Sequence, residues 1–240
     1  MSKGSGFFSV ESPLYKFMSR LMEILILNFL WLFFGGFIPA ILMNYVTTYF
    51  PLVMLPIVLM LGAATTAAFS VTLKMVDEQE GYIVKPFLRA YRENYFKGTI
   101  LGIILIVALL AIRLDFSFYK AAKELNQSST LLLVVGVICV VMTFLHFIYA
   151  FALQARYENT VIRTLKNSFS IAVRYFIRTI FLVVVLALLI MLFMWNNTLV
   201  LLGILIGPGC LIYTVSSWAM QAFRMIEESQ KSSQEDGQEG

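Results

Sequence analysis

The sequence predicts an all-α, polytopic membrane protein, with six transmembrane helices and interfacial amphipathic helices on the cytoplasmic side. Three observations predict it. Of 240 residues, 60% are hydrophobic and only 13% are charged, whereas a soluble domain is about half apolar and about a quarter charged. Charge-free apolar runs, long enough to cross a bilayer at about 20 residues each, recur along the chain. Between them the basic residues alternate between dense and sparse segments, the asymmetry that sets membrane orientation.

The chain begins "MSKGSGFFSV", which lacks a positive region, an apolar core and a small-residue cleavage site, so no secretory signal is expected. In "ESPLYKFMSRLMEIL", Ser12 can cap a helix and Pro13 can occupy its first position. That helix runs into the first span, 24–43. The others are 50–73, 98–118, 131–153, 177–195 and 199–220. The third is the least regular, because Arg113 and Asp115 follow its charge-free part. Arg113 is expected to snorkel outward, with Phe116, Phe118 and Tyr119 as an interfacial belt. One membrane domain, 1–226, holds the six spans. The tail 227–240, "ESQKSSQEDGQEG" after its first glutamate, is polar throughout and reads as disordered.

Fifteen of the 18 lysines and arginines fall on one side of this threading. Arg113, Lys120 and Lys123 fall on the other. The crowded side is therefore cytoplasmic, and six spans place both termini there. The formal net charge of +4 belongs to this bias and not to a nucleic-acid partner.

"NYFKGTI" at 94–100 has an echo in "RYFIRTI" at 174–180. Each ends an amphipathic segment and opens onto an apolar run. The first carries Val84, Phe87, Leu88, Tyr91 and Tyr95 on one stripe, flanked by Lys85, Arg89 and Arg92. The second carries Ile162, Leu165, Phe169, Val173 and Phe176, flanked by Arg163, Lys166 and Arg174. Both follow the period of a surface helix. Such helices lie in the interface with basic residues toward anionic headgroups. Lipid anchoring and partner docking both fit Arg89, Arg92, Arg163, Lys166 and Arg174. The echo itself fits duplication or convergence on one way of entering a membrane.

Three further features bear on function. In "LGAATTAAFS", Gly62 and Thr66, and Ala64 and Ala68, stand four apart. That spacing lets helix backbones approach closely; it also makes room for a substrate. Gly207-Pro208-Gly209 interrupts the sixth span, and Gly35, Gly36 and Pro39 interrupt the first. Each is either a plain kink or a break that exposes backbone to a substrate. His146 is the one histidine, within the fourth span, without partners at metal-ligand spacing. Asn28 and Gln154 are expected to make interhelical hydrogen bonds. Cys139 and Cys210 both lie in apolar runs and read as buried hydrophobes. No metal site, cofactor site or catalytic motif is found, and no aspartate or glutamate is placed deep in a span.

The stretches "LNFLWLFFGGFIPA" and "GAATTAAFSVTLKMVDEQEGYIVKPFLRAYRENYFKGT", with "GPG" near the end, resemble the YesL-type integral membrane proteins, a bacterial family of unknown function. The similarity covers most of the chain and is strongest over 62–99. Members often carry Gly-Pro-Ala-Thr where this chain has Gly62-Ala63-Ala64-Thr65. The resemblance implies a bacterial plasma-membrane location and a genomic setting among carbohydrate uptake and polysaccharide breakdown. It carries over no catalytic residue. The reading is thus a non-enzymatic accessory or regulatory protein of carbohydrate uptake. The alternative is a small solute transporter or channel. Expected partners are the lipid bilayer and a carbohydrate importer complex or a second copy of the chain.

The threading predicts an accessibility pattern. Cysteine introduced at Ser128 should react with an impermeant thiol reagent in intact cells, and cysteine at Ser168 or Ser232 should not. Labelling at Ser168 in intact cells would overturn the orientation.

Overall fold

The computed structural model describes residues 12–37, 50–78, 82–125 and 129–236, and the side chains of all of these but 36–37, 50–59 and 230–236. Every regular element among them is helical. The helices are α1 (Pro13–Leu32), which continues into a π-helical turn (Phe33–Phe37), α2 (Phe50–Val76), α3 (Val84–Glu93), α4 (Tyr95–Glu124) and α5 (Thr130–Phe147). They continue with α6 (Ala150–Arg156), α7 (Val161–Arg174), α8 (Phe176–Phe193) and α9 (Asn197–Asp236).

By length and composition, five stretches can cross a membrane: Pro13–Gly35, Tyr95–Glu124, Thr130–Arg156, Phe176–Phe193 and Asn197–Ser229. This makes the protein multi-pass. The predicted span 50–73 falls in α2, whose described apolar part, Met60–Val76, is shorter than a span. Six crossings are therefore an inference. The outer surfaces agree with a lipid setting: Leu131 on α5, Ile177 on α8 and Leu201 on α9 are each more than 60% exposed. In water such a continuous apolar exterior would drive aggregation.

The start of α1 follows from its sequence. Ser12 accepts a hydrogen bond from the Tyr15 N–H at 3.2 Å, and Pro13 takes the first position. The fourth predicted span, 131–153, is not one helix. It breaks at Ile148–Tyr149 between α5 and α6, without proline or glycine at the break. The reason is tertiary: the Tyr149 N–H is taken by the Ser168 hydroxyl of α7 at 3.2 Å. The tail also differs from expectation. The helix continues past residue 226 to Asp236, and Glu227 is tied to Arg156 and Tyr157. Composition alone sees a polar tail, but these partners lie far away in sequence.

α2 is the hub. It packs along α4 most extensively and also meets α3, α6, α9 and the π-helical turn. Small residues make this possible. Ala63, Ala64, Ala67 and Ala68 are fully buried. A Cβ on Gly62 would run into the carbonyl oxygen of Gly98 on α4, with the Gly102 Cα at 3.0 Å. Gly98 in turn sits 3.0 Å, measured from an added Cβ, from the Ala63 Cα and the Gly62 carbonyl. The two backbones touch with no side chain between them, the packing mode that membrane helices use where apolar surface alone gives no drive.

The contact at Gly62 separates two opposing effects. Alanine in place of a mid-helix glycine gains up to about 1 kcal/mol of helix propensity, while overpacking costs about 1–3 kcal/mol. At Gly62 the obstacle is backbone, which cannot rotate away, so overpacking wins. Gly62→Ala should lower the detergent melting temperature by several degrees. Gly207→Ala, whose Cβ would meet only Phe193 ring atoms at 3.6 Å or more, should leave it unchanged or raise it. Equal melting temperatures for the two variants would refute the backbone contact.

Candidate functional site

Two sites stand out: the Gly207-Pro208-Gly209 stretch in the first third of α9, and a charged cluster at the bundle end where α2 and α6 finish. The expected interruption at Gly207-Pro208-Gly209 does not break the helix, which runs unbroken from Asn197 to Asp236; what the stretch loses is hydrogen bonds. Proline has no N–H, so the Ile204 carbonyl four residues earlier loses its helical donor. Asn28 of α1, fully buried, repairs the loss. Its Nδ2 donates to the Ile204 carbonyl at 3.0 Å and to the Leu205 carbonyl at 2.6 Å, while its Oδ1 accepts from the Gly209 N–H at 3.0 Å. One carboxamide thus serves two carbonyls and one N–H of another helix. Gly209 lets α1 come this close, since an added Cβ there would lie 3.0 Å from the Ile24 carbonyl oxygen. Asn28 and the Gly-Pro-Gly stretch were separate features in the sequence. In the fold they are one site.

The other interruption is built differently. Gly35 lies in the π-helical turn, a widened geometry common at functional positions in helices. A Cβ there would lie 3.1 Å from the Ala64 Cβ, so Gly35 seats α1 against α2. Nearby, Trp31 Nε1 donates to the Thr65 hydroxyl at 3.1 Å. Gly36 shares the turn, and Pro39 lies outside the described residues. Thr66 is buried with its hydroxyl on the Gly62 carbonyl at 2.9 Å. The Thr72 hydroxyl shares a 2.6 Å bond with Ser216 of α9. Gly62, Ala64, Thr66 and Ala68 are all packed against neighbouring helices.

The two echoed junctions are alike in backbone and opposite in packing. Each amphipathic helix leads into its long neighbour through one non-helical residue, Asn94 (φ −101°) and Tyr175 (φ −108°). In α3 the aromatic stripe turns inward. Phe87 is fully buried, with Phe34 of the π-helical turn 5.8 Å from it and 5.2 Å from Tyr91. In α7 the buried face is Thr164, Ser168, Ile171 and Ala172; of the apolar stripe Leu165 packs against the core, while Ile162 and Val173, with Phe176 of α8, are exposed. Hydrogen bonds explain the reversal. Thr164 donates to Gln154 Oε1 at 2.9 Å, Ser168 holds the Tyr149 N–H, and Thr179 shares a 3.3 Å bond with the Tyr149 hydroxyl. The outward position of the flanking basic residues is common to both: Arg89, Arg92, Arg163, Lys166 and Arg174 are all exposed.

The charged cluster joins three chain segments. Asp77, just after α2, lies 3.7 Å from Arg156 at the end of α6 and is paired with Arg224 of α9. Arg156 reaches Glu227 of α9 at 3.1 Å, and the Tyr157 hydroxyl donates to the same carboxylate at 2.6 Å. The Arg156 guanidinium also lies over the Tyr157 and Phe223 rings, 5.7 and 5.8 Å from their centroids, a cation–π arrangement. Burial disfavours the phenolate and the Glu227 carboxylate holds the proton, so the Tyr157 hydroxyl is pushed up to about 12. It remains a donor at all physiological pH values. In the sequence Arg156 and Arg224 count only toward orientation, and Asp77 and Glu227 not at all; the pairing of residues 77, 156, 224 and 227 carries no local signal.

Residues 24–116 match the protein family described as "Protein of unknown function, DUF624". No curated protein and no solved structure gives a significant match. The DUF624 segment takes in α2 and α3, most of α4, the C-terminal part of α1 with its π-helical turn, and one side of each site. Asn28 and Asp77 lie inside it, whereas Pro208, Arg156 and Glu227 lie beyond it. Both sites are thus completed by the part of the chain outside the DUF624 match.

His146 is not part of either site. Its ring stacks on Phe169 with centroids 4.8 Å apart, and Nδ1 lies 2.7 Å from the Met142 carbonyl. No group of metal-ligating side chains exists among the described residues. Cys139 and Cys210 are free thiols; Cys139 is exposed, and so differs from the expected buried position because its face of α5 points outward. One feature near a span end escaped the sequence reading. Asp115 packs its Oδ2 against Gly136 of α5, buried and without a hydrogen-bond partner among the described residues.

The stitch predicts coupling between residues 28 and 208. Asn28→Leu leaves three backbone groups of an apolar, membrane-spanning segment without their partner, at about 1–3 kcal/mol for each unsatisfied group. In a Pro208→Ala background the residue 208 N–H can serve the Ile204 carbonyl, so the same Asn28→Leu change should cost about 1–2 kcal/mol less. A double-mutant cycle of unfolding free energies measures this. Strict additivity would show that Asn28 does not supply the donor that the proline removes.

Proposed function

We propose that the chain is a six-span, non-enzymatic plasma-membrane protein, with both termini cytoplasmic, that serves carbohydrate uptake as an accessory or regulatory component. One observation carries the docking part of this reading. α3 spends its aromatic stripe on Phe34 and the bundle, so it is not held to the membrane by that stripe. Its outward surface is then left as a platform. Lys85, Arg89 and Arg92 line a shallow surface cleft with Leu88 and Glu93, and Arg89 pairs with Glu93 at 2.9 Å. A basic outer face on a rigidly seated helix suits an acidic protein surface, by steering and by complementarity. The orientation is supported by the placement of 15 of the 18 basic residues. The carbohydrate setting is supported by the resemblance to YesL-type proteins.

The second reading, a small solute transporter or channel, is favoured by Pro208, which leaves backbone groups of α9 without their helical partners. Discontinuous helices in transporters leave backbone groups for the substrate. Here Asn28 occupies those groups from within the protein, which supports the accessory reading over the conduit.

Purification from native membranes should co-enrich an importer permease, its ATPase or a signalling protein. Charge reversal at Lys85, Arg89 and Arg92 together should abolish that enrichment while membrane insertion persists. Absence of any such enrichment with the unaltered protein counts against the accessory role. Sugar flux into reconstituted liposomes above that of empty vesicles would transfer the preference to the transporter reading.

A further inference from the structure

A pocket of about 380 Å³ opens between α7, the Tyr157–Thr160 connection and α9, beside the charged cluster. Its volume lies within the usual range for small-molecule sites, about 300–1,000 Å³. Its floor is apolar, made by the buried side chains of Leu153, Ile171 and Phe223. Its walls are polar. Asn167, Ser170 and Arg174 stand at positions i, i+3 and i+7 along one face of α7, and Asn159 faces them from the connection. Glu227 closes the α9 side, already bound to Arg156 and Tyr157.

These walls hold hydrogen-bonding capacity that the fold leaves unspent. Among the described residues the carboxamides of Asn159 and Asn167 and the hydroxyl of Ser170 make no hydrogen bond. Arg174 makes no ion pair, and its guanidinium only lies over the Tyr175 ring, 5.8 Å from the centroid. The other guanidinium near the pocket, Arg156, is committed to Asp77 and Glu227. One free planar cation, two free amides and a free hydroxyl therefore converge on one concave space with an apolar floor.

We propose that this pocket binds a phosphorylated polyol, with the phosphate on Arg174 and the hydroxyls on Asn159, Asn167 and Ser170. A guanidinium presents paired N–H donors that match phosphate oxygens. An amide offers both a donor and an acceptor, which suits a hydroxyl. The apolar floor takes the C–H face of the ligand. Two sources share this chemistry: a soluble sugar phosphate, and a glycerol-bearing anionic lipid headgroup, since Arg174 stands two residues before the start of α8. The inference stands on the pocket alone and does not depend on the accessory role.

The test uses the full chain in phosphatidylcholine nanodiscs, titrated with glucose 6-phosphate, glucose and inorganic phosphate, with thermal stability and calorimetry as readouts. Glucose 6-phosphate should bind at least about tenfold more tightly than either fragment. Arg174→Gln should weaken it about tenfold or more, as loss of a charge-assisted contact does. Asn167→Leu should also weaken binding, and Arg163→Gln, an exposed cation outside the pocket, should not. Arg174 is exposed, so its replacement leaves the fold intact, and the unliganded melting temperature verifies this. A parallel series in phosphatidylglycerol nanodiscs identifies the source. Arg174-dependent stabilisation by that lipid, with no binding of the soluble ester, assigns the site to a headgroup. Equal binding of inorganic phosphate and glucose 6-phosphate, or no Arg174-dependent effect from ester or lipid, overturns the proposal.

Discussion

A backbone group inside a bilayer has no water to turn to, so each must find its partner in the protein. The α1–α9 contact is organised by that requirement. Pro208 deletes one donor from α9, and Asn28 restores the balance with a single carboxamide that both donates and accepts. Much follows from this repair. α1 must lie close to α9, which demands Gly209 at the crossing. With α1 fixed there, its π-helical end brings Gly35 onto Ala64 and Phe34 onto Phe87 and Tyr91. The position of α3, and hence of its outward basic face, depends on that chain of contacts.

α2 takes the other side of the same problem. Hydrophobic burial does little to bring helices together where the solvent is itself hydrocarbon. Close backbone packing and hydrogen bonds do it instead. Gly62 against Gly98 supplies the first, and Thr72 with Ser216 supplies the second. At the end of the bundle, where charge is tolerated, Asp77, Arg156, Arg224 and Glu227 join the ends of α2 and α6 to α9. These pairs are partly exposed, and isolated surface ion pairs contribute little. Their interest lies in geometry: they couple the two segments that lead into α3 and α7, and they border the pocket that Arg174 lines.

The echoed junctions show how similar sequences can be used in opposite ways. Both have an amphipathic helix, a one-residue turn and a long apolar helix. α3 buries its aromatic face because the π-helical turn offers aromatic partners. α7 buries its threonine and serine face, where Ser168 takes the Tyr149 N–H and Thr164 meets Gln154. Unmet polar groups cost more to bury than apolar side chains gain beside lipid, so the hydrogen bonds decide which face turns inward.

Composition and short-range periodicity suffice for the membrane class, for apolar stretches of which five are long enough to cross a bilayer, for the Ser12–Pro13 helix start and for the amphipathic character of α3 and α7. These depend on composition and on periods of a few residues, which local physics fixes. The sequence also marked Asn28 and the Gly-Pro-Gly stretch as unusual, each in isolation. It takes the packing of the whole chain to make the two meet, to break the fourth apolar run at Tyr149, to tie α9 down at Glu227 and to turn the hydroxyls of α7 inward. Each of these is settled by a hydrogen bond or ion pair between residues at least 19 positions apart. A local pattern can show that a polar group needs a partner. Which partner it receives depends on how the whole chain packs.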